Sequence, residues 1–230
     1  MKAIKESHKK IIEIVILVLF AALVIAGSFV FKDKGYAFIS LGAVLLSLAL
    51  FYVSFEKKKT HTRRIVIIAV MTVLSVIGRF VFAVIPGFKP ITAFVVITAI
   101  WLGGEAGFLV GSLTALISNF YFGQGPWTPF QMLAFGLIGL LAGVLASPLK
   151  KSRVALALYG VFAGIAFSLV MDVWTVVWYQ GDFNLQLYLA ALLTALPHTL
   201  SYAISNVIFL LVLGRPFGEK LERIKTKYEV

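Results

Sequence analysis

Few residues in this chain can do chemistry, and those that can lie within or beside long apolar runs. Arg79 and Asp172 are isolated charges in such runs. A charge near mid-membrane costs about 2.5–3.5 kcal/mol on insertion scales, so each requires a partner, water or a ligand. The two could form a structural ion pair or face a wet pocket. His198 follows Pro197, with Ser201, Ser205 and Asn206 on the next turns; the proline frees a backbone carbonyl and kinks its helix. The densest cluster runs from Asn119 to Gln131. Its Gly125-Pro126 and Thr128-Pro129 pairs favour fixed turns. It supplies rings at Phe120, Tyr121, Phe122 and Trp127 and amides at Asn119, Gln124 and Gln131. Aromatic walls with a few placed hydrogen-bonding groups suit a flat, partly apolar organic ligand. An aromatic belt at a membrane surface needs neither the amides nor the prolines. The chemistry on offer is binding. The chain contains no cysteine, no P-loop, no H-E-x-x-H, no G-x-S-x-G and no carboxylate pair at one depth. No ATP hydrolysis, catalytic centre, cofactor or metal site is expected.

The elements that must position these residues follow from composition. Of 230 residues, 60% are hydrophobic and 13% charged, with a mean hydropathy of +0.98. Soluble domains run near 45–50% apolar and about 25% charged, so the surplus faces lipid. Backbone groups in lipid must be satisfied within a helix or a closed barrel, and no ten-residue alternating stretches mark barrel strands. The fold class is therefore an all-α integral membrane protein. Apolar runs lie at about 11–31, 36–55, 65–85, 128–147, 154–178 and 186–213. The stretch 90–122 is too long for one span and breaks at Gly103-Gly104 beside Glu105. Two helices there make eight spans and place 17 basic residues inside against three outside; one helix gives 9 against 11. The positive-inside rule selects eight spans with both termini in the cytoplasm. The net charge of +11 then encodes topology, not a nucleic-acid partner. The N-terminal apolar run exceeds the 7–15 residues of a signal peptide and lacks an A-x-A site, so cleavage is not expected.

A charged hinge, Glu56 to Arg64, divides the chain. Residues 1–56 read as an accessory two-helix hairpin, 64–213 as a six-helix binding domain and 214–230 as a basic cytoplasmic tail. Gly103, Gly107, Gly111 and Ala115 are spaced by four, which puts them on one helix face. Gly136, Gly139 and Gly143, then Gly160 and Gly164, mark two further stripes. Such faces let helices approach closely, either within the bundle or against a partner subunit.

The run Pro86-Gly87-Phe88-Lys89-Pro90, the segment Gly103 to Gly111, Ser118-Asn119-Phe120 and the stretch Phe122-Gly123-Gln124-Gly125-Pro126-Trp127-Thr128-Pro129-Phe130-Gln131-Met132 together resemble the S component of energy-coupling factor (ECF) transporters. The resemblance covers about 64–213 and is nearest the subgroup linked to cobalamin or its precursors. It implies a six-helix subunit in a bacterial plasma membrane that captures a vitamin at the outer face. A transmembrane T component with two ATPases would supply the energy; membrane lipid is the other partner. The implied pocket draws on 86–90, 119–131 and 179–186. Its candidate residues are Arg79, Phe88, Lys89, Asn119, Tyr121, Gln124, Trp127, Gln131, Asp172 and His198. The family docks its T component through a small-x-x-x-small face on the first core helix. Here Ala69 fits, but Val73 stands at the second position, so Gly107, Gly111, Gly139 and Gly143 are further docking candidates. Two other classes remain. A membrane-embedded transferase would need clustered acids, and Glu105, Asp172 and Asp182 fall on different sides. A sensor or assembly protein would bind without transporting.

Overall fold

A computed structural model describes residues 61–125, 127–180 and 184–228, with scattered positions between 14 and 49. Its helices are α1 (His61–Val81), α2 (Ile91–Leu102), α3 (Gly104–Phe122), α4 (Trp127–Val144), α5 (Ala146–Lys151), α6 (Arg153–Gln180) and α7 (Leu185–Tyr228). Among the described residues there is no strand. The accessory hairpin expected at 1–56 lies outside the described residues, apart from those scattered positions.

The bundle is built around α2. This helix is apolar on every face, which suits only an interior position, and Ile91 to Ile100 are all buried. It touches α1, α3, α4 and α7. Twelve residues rise only about 18 Å, which is short of the hydrocarbon core. The division expected at Gly103-Gly104 is found there. Gly103 has φ 102°, a conformation glycine adopts without penalty. Buried Arg64 from α1 closes the break: it donates to the Leu102 carbonyl at 2.6 Å and lies 3.4 Å from the Glu105 carboxylate. A cation thus meets the orphan carbonyl end of α2, while an acid sits in the first turn of α3.

The glycine stripes bring backbones together inside the bundle. A Cβ on Gly107 would stand 2.4 Å from that of Ala99 and 3.1 Å from Gly139 Cα. One on Gly111 would meet the Phe135 carbonyl oxygen at 2.6 Å, and one on Gly143 would meet Gly104 Cα at 2.3 Å. These four positions, offered above as docking candidates, therefore form contacts among α2, α3 and α4. Gly164 does the same between α6 and α7, against Ala203. Ala69 lies on an exposed face of α1 with Val66, Val70, Val73 and Ile77.

Among the described residues, four helices are long and apolar enough to cross a membrane: Thr62–Val81, Trp127–Val144, Arg153–Trp178 and Leu185–Tyr228. Ile91–Leu102 is a shorter apolar helix. α7 runs 44 residues through Pro197 and Pro216. The expected tail from 214 is therefore helical as far as Tyr228. It packs on the bundle, with Phe217 5.3 Å from Phe94 and Leu221 buried.

Candidate binding site

At the end of the bundle opposite the Arg64 closure, Arg79 in the last turn of α1 reaches across to α3. It donates to Ser118 Oγ and, at 2.7 Å, to Asn119 Oδ1. Its guanidinium lies 4.5 Å from the Phe122 ring centroid, within cation–π range. Among the described residues it forms no ion pair with Asp172. Asn119 is fully buried, and its amide nitrogen donates to Thr128 Oγ1 at 2.8 Å and Gln131 Oε1 at 2.9 Å. Both hydrogens and the oxygen of this amide are therefore engaged. Gln124 folds back and donates at 3.0 Å to the Leu116 carbonyl in the second-last turn of α3. The amides proposed as ligand groups thus lock the α3–α4 turn, with parts of Gln124 and Gln131 left over. Gly125 is required in that turn because Trp127 folds over it: a Cβ would fall 2.3 Å from the indole. Trp127 then meets Trp174 of α6 edge-on at 5.7 Å.

The α1–α2 turn is non-helical backbone, whose free N–H and C=O groups need partners. Two serines of α7 provide them. Ser201 Oγ donates to the Pro86 carbonyl at 2.8 Å; Ser205 Oγ accepts from Lys89 N at 2.8 Å and donates to the Lys89 carbonyl at 3.1 Å. Lys89 Nζ lies 5.1 Å from the Tyr202 ring centroid. Burial, and then the Arg79 charge, pull its pKa down to about 8. Tyr202 stacks on Phe167 at 4.8 Å, and Phe167 packs on Phe135 at 4.6 Å.

Three polar atoms here are buried without a hydrogen-bond partner among the described residues: Asp172 Oδ2, Trp174 Nε1 and the Tyr202 hydroxyl. Interior polar groups are nearly always satisfied, so each exception asks for an explanation such as a ligand or water.

The structure brings Arg79, Asn119, Gln124, Trp127 and Gln131 together around one turn, with Lys89 on the neighbouring one. Phe88 packs against Phe82 and Phe209 at 5.7 and 5.0 Å. Tyr121 is 75% exposed and touches Phe80 and Phe122, so its ring lies on the bundle's surface. His198 is exposed, 5.4 Å from Tyr202. Most of the expected pocket segment 179–186 lies outside the described residues. Sequence reasoning missed Tyr202, Phe167 and Trp174, since rings inside apolar helices read as lipid-facing.

A model of the S component of ECF-type riboflavin transporters matches residues 59–223. The chain belongs to that family. It is accordingly a membrane protein of the transport class whose task is substrate binding, and the ECF resemblance read from its glycine and aromatic motifs holds across the helical part. Riboflavin, not cobalamin, is the vitamin in the description of the matching model. Comparison with curated proteins and with solved structures finds no match. In this S component, the turn-locking network around Asn119 lies within the matched stretch.

Proposed function

We propose that this S component captures a flat heteroaromatic vitamin of the flavin class at the outer face of the membrane. A T component and two ATPases then drive its delivery inwards. The observation that carries the reading is the set of orphaned buried polar atoms at Asp172, Trp174 and Tyr202 beside stacked rings. A conjugated ring system would stack against the indoles, and its polar edge would answer donors and acceptors that are otherwise unsatisfied. The family match favours a flavin over the corrinoid suggested by the sequence motifs. Trp127, Trp174, Lys89, Asp172 and Tyr202 are the proposed ligand contacts. Asn119, Arg79 and Gln124 hold the turn that presents Trp127.

Sidedness is part of the proposal. The basic residues Arg63 and Arg64, Lys150 to Arg153 and Arg215 to Lys227 lie at the bundle end away from this site, which supports a cytoplasmic basic face and an outer pocket. Binding without bond-making fits a chain that has neither a nucleotide motif nor a nucleophile–base pair.

The test is titration of the purified full-length protein with riboflavin, following quenching of flavin emission as the ring stacks on tryptophan. Saturable quenching at one site per chain is expected. Unchanged emission with riboflavin, together with no binding from a panel of other vitamins, would replace capture by a sensor or assembly role.

A further inference from the structure

A second cleft lies at the opposite, basic end of the molecule. It is about 360 Å³ and opens between the start of α6, the short α5 and the lower part of α7. Its apolar floor includes Leu149, Leu156 and Leu210, all buried. Its mouth carries Lys150, Lys151, Arg153 and Arg215 against a single lining carboxylate, Glu219. That carboxylate is taken by Arg215 at 2.8 Å, and Lys150 lies 3.9 Å from Glu222. Lys151 and Arg153 have no carboxylate partner among the described residues. Gly214 keeps the cleft open: a Cβ there would already approach Leu156 within 3.2 Å. The mouth also coincides with the first turn of the 28-residue α6. Its Ser152 hydroxyl caps Ala155 N at 3.2 Å, leaving other amides of that turn without helical acceptors.

We propose that this cleft holds the headgroup and upper acyl chain of an anionic phospholipid of the inner leaflet. The two halves of the cleft match the two halves of such a lipid. Cations and a helix N-terminus favour a phosphate, and a leucine floor accepts hydrocarbon. Basic pockets between helices on the cytoplasmic side are suited to anionic headgroups. A soluble anion would use only the mouth and leave the apolar floor exposed. The assignment of leaflet rests on the sidedness proposed above, but the cleft and its charge do not depend on what the outer site binds.

The test compares thermal unfolding of the full-length protein in detergent with added phosphatidylglycerol or phosphatidylcholine of identical acyl chains. Phosphatidylglycerol is expected to raise the midpoint more. Lys151→Gln with Arg153→Gln should abolish that difference, while Arg223→Gln with Lys227→Gln, an equal loss of charge outside the cleft, should retain it. Lys151→Arg with Arg153→Lys should preserve it and shows whether the site tolerates substitution. Equal midpoints in the two lipids, or equal loss in both glutamine variants, would overturn the proposal. Full reproduction of the shift by inorganic phosphate alone would also overturn it, in favour of a free-anion site. Riboflavin titration of the same samples keeps failure here distinct from failure of the capture reading.

Discussion

Asn119 and Asp172 are both polar, buried and intramembrane, yet their roles differ. Asn119 has every hydrogen-bonding site engaged, so Asn119→Ala leaves Arg79, Thr128 and Gln131 short of partners. We expect a loss of roughly 3 kcal/mol in stability, read by thermal or denaturant unfolding in detergent. Asp172 has an oxygen with no partner, so its removal should act in the opposite sense on the empty protein. Asp172→Asn is expected to raise the unfolding midpoint without ligand and to weaken flavin binding at least tenfold, about 1.4 kcal/mol. Trp127→Ala should also weaken binding while the fold survives; unchanged quenching would remove Trp127 from the pocket. Lys89 gives a pH signature. Its native pKa near 8 lies below the ordinary 10.5, so between those values the unfolded chain holds a proton that the native state lacks. Stability should therefore rise with pH through that window, and Lys89→Met should remove that contribution from the stability–pH curve. At this scale the sequence was legible where residue type is rare: Arg79, Asp172 and the amides stood out. It was not legible where the side chain's partner decides its role. Nothing in the one-dimensional pattern says that Asn119 is saturated and Asp172 is not.

Among the described residues, helix existence was easy to read and helix ends were not. The break at Gly103-Gly104 was visible because two glycines interrupt a run too long for one span. The continuation of α7 past residue 213 was hidden by Pro216 and a rising density of charge, which resemble a tail. Tertiary contact overrides those signals: Phe217 and Leu221 find partners on the bundle, and the helix persists to Tyr228. The glycines also divide by element context. Gly139→Val would push a branched side chain into the Gly107 carbonyl, 2.5 Å from its first carbon. It should cost about 3 kcal/mol or prevent folding. Gly123 has φ 102° but open space around it, so Gly123→Ala meets no clash and should cost about 1–3 kcal/mol of backbone strain while the fold survives. Paired unfolding measurements on these two variants check the distinction, and equal losses would contradict it.

For the whole molecule, composition established a helical membrane protein, and the motif run from Gly103 to Met132 pointed to the family that the match over 59–223 shows. The choice of vitamin was not legible, because aromatic rings and amides suit any flat, partly apolar ligand. We propose residues 1–56 as an accessory unit. A chain beginning near residue 57 should fold and retain riboflavin quenching; folded but inert material would refute this. A last consequence follows from the shortness of α2. Its outer end lies beside Gly78, where an added Cβ would fall 2.3 Å from the Pro90 ring, so the turn carrying Lys89 begins about 4–5 Å short of the end of α1. On the proposed reading, a vitamin resting on that turn sheds part of its hydration shell on the way in. That dehydration would slow arrival and departure alike. Residence time, as much as affinity, would then depend on where α2 stops.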